Sequence, residues 1–229
     1  MWMRANQFSP SRYLYVFSAA CGWSILVEYD VKSHRLEVDG NPVEFKRSPN
    51  GGASLTPRYL IIHYTAGTDA AGAVNWFMKP EAKASAHLVV ARDGSVTQMM
   101  EFNKVAWHAG ESKWGELTSL NHHAIGIEIV NAGKLAQTAS GQWLSWSGKV
   151  IDEKEVLILT HKHERSPTGW QAYTKEQYDA VLGICLVLHE KYAFLDILGH
   201  DDISPRRKVD PGPAFPMVTL QSKVIGRAD

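Results

Sequence analysis

The order of apolar and polar residues lays out alternating strands and helices from about residue 58 onward. Arg58-Tyr59-Leu60-Ile61-Ile62-His63-Tyr64 is a continuous apolar run, β-branched at its centre, with the length of a fully buried strand. From Ala124 to Val130 the pattern alternates. Ile125, Ile127 and Ile129 fall on one face, and Gly126, Glu128 and Val130 on the other. His87 to Ala91 and Val96 to Met100 read as strands joined by the hairpin turn Arg92-Asp93-Gly94-Ser95. Thr68 or Asp69 can cap a helix over 69–78, with Val74, Phe77 and Met78 on one side. Thr174-Lys175-Glu176-Gln177 is a capping box that opens a helix to about Tyr192. Its core-facing stripe is Tyr178, Val181, Leu182, Cys185, Leu186 and His189. Phe194 to Leu198 reads as a short strand, 199–213 as a polar, Pro-rich loop, and 215–225 as a last amphipathic helix.

The N-terminal part follows a different pattern. Residues 24–30 and 34–38 are short β-like runs, Asp39-Gly40-Asn41-Pro42 is a turn, and Val43-Glu44-Phe45 adds a third short strand. The loop Ser48-Pro49-Asn50-Gly51-Gly52 suggests a boundary, with 1–48 an extension bearing a short β-hairpin and 49–229 the main body. Arg4 and Arg12 precede a short apolar run that ends at Cys21, loosely like a signal peptide or a lipoprotein signal. The alternatives are an extra strand or a start codon placed too early. Residues 132–172 read as irregular and rich in Trp, Gly and Ser, the mark of a functional connection or a lid.

Composition narrows the function classes. In 229 residues, 24 Lys+Arg balance 24 Asp+Glu, which leaves no basic footprint for nucleic acid or an anionic membrane. Two cysteines exclude a disulfide framework and a Cys-rich zinc ribbon. No stretch approaches the ~20 apolar residues of a membrane-spanning helix.

Chemistry concentrates at strand ends. His63 lies near the C-terminal end of the most apolar strand, His200 follows another strand, and Asp210 lies ten residues later in a restrained loop. Two imidazoles and a carboxylate suit a catalytic Zn²⁺ with one position open for water. Lys208, two residues before Asp210, points the same way in an extended segment. Glu128 is a carboxylate inside an apolar strand and needs a partner there. Glu128 suits a base and Lys208 an oxyanion clamp. His122 and His123 are rival ligands, but their adjacency points them apart and a loop role is preferred. His87 suits a structural role.

The segments RYLIIHYTAG (58–67), SAHLVVARDGSVTQ (85–98), AWHAG (106–110), IGIEIVN (125–131) and GHDDISPRRKVDPGPAF (199–215) carry a resemblance. Together they resemble the zinc-dependent N-acetylmuramoyl-L-alanine amidase family, which includes AmpD-type amidases and is related to T7 lysozyme and peptidoglycan-recognition proteins. The likeness spans about residues 43–220. It implies an α/β (α+β) fold, a central mixed β-sheet flanked by helices, with zinc in a surface cleft. His63, His200 and Asp210 map to the zinc ligands, and Glu128 and Lys208 to the catalytic pair. The implied reaction is hydrolysis of the amide between N-acetylmuramic acid and L-alanine of the stem peptide, in peptidoglycan or muropeptide fragments. A monomer in the bacterial cytoplasm or cell envelope is expected. Arg206 departs from the Gly that relatives commonly carry there, and 132–172 looks like one branch of the family only.

Substrate contacts are expected from His108, Asn131, Trp107 and Arg207. His108 either touches substrate or rigidifies a turn, and Asn131 either bonds the stem-peptide backbone or ends a strand. Arg207 suits a peptide carboxylate. Of Trp107, Trp143, Trp146 and Trp170, one or two should line the cleft and stack on sugar, the rest packing in the core. Two other functions compete. A zinc-free recognition module would be expected to lack one of the five central residues, and all five are present. A serine hydrolase would need a nucleophile elbow, and the chain has no GxSxG.

Overall fold

The computed structural model describes residues 13–18 and 24–227. Cys21 and most of the signal-like segment lie outside them. Tyr13–Ser18 is a strand paired antiparallel with Ser24–Lys32.

A six-stranded mixed sheet forms the centre. Its strands are β1 (Glu44–Phe45), β2 (Tyr59–Tyr64), β3 (Leu88–Val90), β4 (Val96–Gln98), β5 (Ala124–Ile129) and β6 (Asp196–Gly199), in the order β6-β2-β5-β3-β4-β1. β6, β2, β5 and β3 are parallel, and β4 returns antiparallel through the predicted hairpin. The most apolar runs, β2 and β5, are adjacent interior strands, as burial on both faces requires. The helices are α1 (Ala70–Phe77), α2 (Lys175–Tyr192), α3 (His200–Ile203) and α4 (Met217–Ile225). Asp69 caps α1 by accepting from Gly72 N at 2.6 Å. Thr174 and Gln177 close the capping box of α2.

The alternation in β5 separates two environments. Ile125, Ile127 and Ile129 join Leu60 and Ile62 of β2 in the main core, against Val181, Ile184, Cys185 and Leu188 of α2. The same core takes in Tyr29, Val31 and Leu36 from the N-terminal strands Ser24–Lys32 and Arg35–Val38. Residues 27–43 therefore contribute to the main core, while β1 extends the central sheet at its edge.

Two expectations are corrected. Residues 132–172 are not irregular. They hold a five-stranded antiparallel sheet, ordered Val150–Ile151, Trp143–Leu144, Lys134–Gln137, Thr168–Gln171, Val156–Leu159. The 199–213 loop opens with the single turn α3, whose N-terminus is closed by Asp202 accepting from Gly199 N at 2.7 Å. Among the described residues, no helix is long and apolar enough to cross a membrane.

Candidate metal centre

Parallel strands put their carboxyl ends on one edge of the sheet, where the following loops can converge. His63 is the penultimate residue of β2, and His200 starts α3 directly after β6. Asp210 arrives on the loop that follows α3. A backbone bond from Asp201 N to Asp210 O, 2.8 Å, fixes the two ligand-bearing segments to each other. All three side chains are buried and meet at one point. His63 Nδ1 lies 2.9 Å from His200 Nδ1 and 3.1 Å from Asp210 Oδ2, and His200 Nδ1 lies 2.9 Å from the same oxygen.

The ring tautomers follow from the outer nitrogens. His108 Nε2 donates to Ala124 O at 3.2 Å, so His108 Nδ1 is an acceptor. It therefore accepts from His63 Nε2, 3.0 Å away, which leaves His63 Nδ1 as a lone pair. Burial, with His200 close by, holds the His63 imidazole down to about 4, and burial likewise holds His108 well below its ordinary value, so both rings are neutral. His200 Nε2 lies 3.0 Å from Ala109 O, a carbonyl that only accepts, so that nitrogen carries an N–H and Nδ1 is the one turned to the triangle. The His63 Nδ1 lone pair, His200 Nδ1 and a carboxylate oxygen thus face one another at one point. Such a triangle calls for a cation, and its edges approach the about 3.3 Å expected between ligands of a tetrahedral divalent ion with bonds of about 2.0–2.1 Å. The residues fit a metal.

Gly126 makes the His108 contact possible. A Cβ there would lie 2.4 Å from His108 Cγ, so only glycine lets the ring rest against β5. His87, also neutral and buried, accepts from Gly126 N and donates to Lys104 O, the structural role expected of it.

Glu128 pairs with His63 in the β2–β5 register and shares its face of the sheet. Its Oε2 is buried without a hydrogen-bond partner among the described residues. Burial and then Asp210 push its carboxyl well above the ordinary value, against the pull of Lys208. Glu128, Lys208, His200 and Asp210 line a cleft of about 370 Å³, together with Tyr64, Thr65, Ala66, Ser85, Trp107, His108 and Arg207.

The remaining expected residues divide. Trp107 is 42% exposed in the cleft, its backbone N–H held by Ser85 Oγ at 2.8 Å. Arg207 lines the cleft while its Nη2 donates to Ala109 O, Glu111 O and Ser204 Oγ. His108 borders the cleft, but its nitrogens are taken by His63 and Ala124, which places it to orient the His63 ring. Asn131 is a correction. It is fully buried, its amide donates to Gln171 O and Ala172 O, and its oxygen accepts from Gly133 N, so nothing is left for substrate. Trp143 packs over Gly169, and Trp170 is buried against His161. His122 and His123 lie at the end of a short 3₁₀ turn, outside the metal cluster.

A second group of residues, not anticipated from the sequence, stands behind His200 and Asp210. Asp201 is buried beside His200, with Oδ2 2.8 Å from His161 Nε2 and Oδ1 2.9 Å from Lys162 Nζ. Tyr173 donates to Pro211 O at 2.8 Å, and Trp170 packs where a Cβ on Gly212 would stand. The segment after β5 therefore braces both loops that carry ligands. A signal existed in the two carboxylates following His200, but their partners are some 40 residues away in the chain.

Comparison with known proteins agrees with this geometry. Residues 53–213 match the family model described as N-acetylmuramoyl-L-alanine amidase. The chain is 30% identical over 135 residues to 1,6-anhydro-N-acetylmuramyl-L-alanine amidase AmpD of Escherichia coli, covering 58% of this chain and 54% of that protein. It is 27% identical over 200 residues to N-acetylmuramoyl-L-alanine amidase AmiD of Escherichia coli, covering 83% and 61%. A solved complex of Escherichia coli AmiD with anhydro-N-acetylmuramic acid-L-Ala-D-gamma-Glu-L-Lys shares the fold, with TM-score 0.56 and 23% identity over 85% of this chain and 65% of that one. The chain spans about half the length of the AmpD relative it matches.

Proposed function

The chain belongs to the N-acetylmuramoyl-L-alanine amidase family, and on that premise we propose that it is a zinc hydrolase. It cleaves the amide between N-acetylmuramic acid and the L-alanine of the stem peptide, in peptidoglycan or its fragments. The observation that carries this reading is the meeting of three metal-ligand atoms, His63 Nδ1, His200 Nδ1 and Asp210 Oδ2, in a cleft. Two nitrogens and one oxygen are a zinc set that leaves a position open. Bound there, zinc supplies a Lewis acid that polarises the amide carbonyl and acidifies water.

The chain's own groups complete the reaction. Glu128 Oε2 accepts a proton from the attacking water and returns it to the departing alanine nitrogen. Its raised carboxyl suits both transfers, because a group poised nearer the working pH exchanges protons in either direction. The Lys208 ammonium stabilises the negative charge that grows on the carbonyl oxygen. Arg207 and Lys208 give one wall of the cleft positive charge, which suits the carboxylates of a stem peptide. Trp107 offers an apolar face to sugar or lactyl carbon. The substrate is bacterial wall material, met in the cytoplasm or the envelope, and the chain is taken to act as a monomer.

Mass spectrometry of muropeptides after incubation tests the reading. The expected products are free stem peptide and intact glycan, lost on chelation and restored by Zn²⁺. Products cut elsewhere, or turnover indifferent to chelator, contradict it.

A further inference from the structure

We propose that Trp146 is a stacking platform for a sugar ring of the substrate's glycan, one ring beyond the muramyl residue whose amide is cut. This rests on the amidase reading of the cleft and adds a glycan subsite to it.

Trp146 stands at the tip of the hairpin formed by Trp143–Leu144 and Val150–Ile151. The turn is built stiffly. Ser145 N bonds Lys149 O and Gly148 N bonds Ser145 O, both at 2.9 Å, and Lys149 N donates to Ser145 Oγ at 3.1 Å. Two side chains then tie the tip to the loop after β2, some 80 residues away. Trp146 Nε1 donates to Ala66 O at 2.6 Å, and Lys149 Nζ donates to Thr68 Oγ1 at 3.0 Å. Ala66 lines the metal cleft, and it presents that carbonyl from a left-handed conformation, φ 54°, which alanine rarely adopts.

The indole is therefore held by its polar end at the lip of the cleft, yet the residue is 77% exposed. A tryptophan recruited only to secure the hairpin would bury its rings, as Trp170 does fully and Trp143 partly in the same sheet. Tethering the N–H fixes the ring in advance, so little side-chain freedom is lost when a ligand arrives.

Charge and distance choose the occupant. The cationic wall of the cleft is the 207–208 segment, which draws the carboxylate-bearing peptide. The Trp146 lip has its one lysine, Lys149, engaged with Thr68 and offers an aromatic surface, which suits the C–H face of an uncharged pyranose. Ala66 is three residues from His63, at most about 11 Å of backbone. A span of that size can take in the muramyl ring and reach its neighbour, the ring assigned to Trp146.

The test needs no turnover. A β-1,4-linked N-acetylglucosamine tetramer is titrated into the full chain, followed by saturation-transfer NMR and by the Trp146 indole N–H resonance. The wild type should bind, and that resonance should move. Trp146→Ala should weaken binding about tenfold, the loss of roughly one good contact, while Trp146→Phe keeps it within about threefold. An unmoved Trp146 resonance overturns the proposal, and so does wild-type-like binding by Trp146→Ala. A resonance that answers to a stem tripeptide and not to the tetramer also overturns it. Should Trp146→Ala fail to fold, the wild-type resonance decides alone. Wild-type cleavage of a muramyl peptide is scored separately. Sugar binding without cleavage would sink the amidase reading and leave the platform standing, and the reverse result would do the opposite.

Discussion

His63 Nε2 lies 3.0 Å from His108 Nδ1, and this contact decides which nitrogen of His63 faces the cleft. The proton that His108 shares with Ala124 O fixes its own tautomer, and so fixes that of His63, across a relay of two rings. Metal-binding imidazoles depend on such outer partners for orientation and basicity. His108→Ala removes the acceptor and frees the His63 ring. Zinc affinity should fall about 10–100-fold, read by competition with a chromogenic chelator. Affinity within twofold of the wild type would show that the relay does not orient the ligand.

Glu128 and Lys208 should separate binding of metal from catalysis. Glu128→Gln keeps the shape of the side chain and removes the base, so kcat should drop by about 10²–10⁴. Lys208→Ala should lower kcat by about 10²–10³. Both variants should retain full zinc content by atomic absorption. Near-wild-type kcat in either one removes its assigned role.

His87 makes the metal-free protein acid-sensitive. Burial holds its imidazole down to about 4, against 6.5 in an exposed chain. Between those values the unfolded state carries a proton that the folded state refuses, so stability falls as pH drops through that window and levels off below it. The loss is on the order of 3 kcal/mol. Its ring resonances in folded, metal-free protein should stay flat from pH 8 to 5. A titration midpoint near 6.5 would contradict the buried, neutral ring.

The brace behind the ligands should matter more than surface charge pairs. His161→Phe can keep the stack on Trp170 but strips a hydrogen bond from the buried Asp201 carboxylate, at a cost of about 1–3 kcal/mol in urea unfolding. Lys134→Ala breaks the exposed pair with Glu164 and should cost under about 1 kcal/mol. Equal effects would mean that the Asp201 contact bears no special share of the stability.

What could be read from the chain follows interaction range. The central strands and the α2 helix announced themselves because their signals are local, as continuous apolar runs, alternation and a capping box. The convergence of His63, His200 and Asp210 was legible because strand ends in a parallel sheet converge by topology. The five-stranded sheet after β5 escaped notice because its strands are two to four residues long, too short for a period to show, and exist only through pairing with distant partners. Asn131 looked available for the same reason, since the carbonyls it bonds lie at Gln171 and Ala172. The His108 relay needed the 45-residue separation from His63 closed in space before it could be seen.

Anomalous diffraction at the zinc edge, from crystals grown with one equivalent of Zn²⁺, tests the centre most directly. A single peak within bonding distance of His63 Nδ1, His200 Nδ1 and Asp210 Oδ2 is the predicted result. A peak on other residues, or none at this triangle, would contradict it.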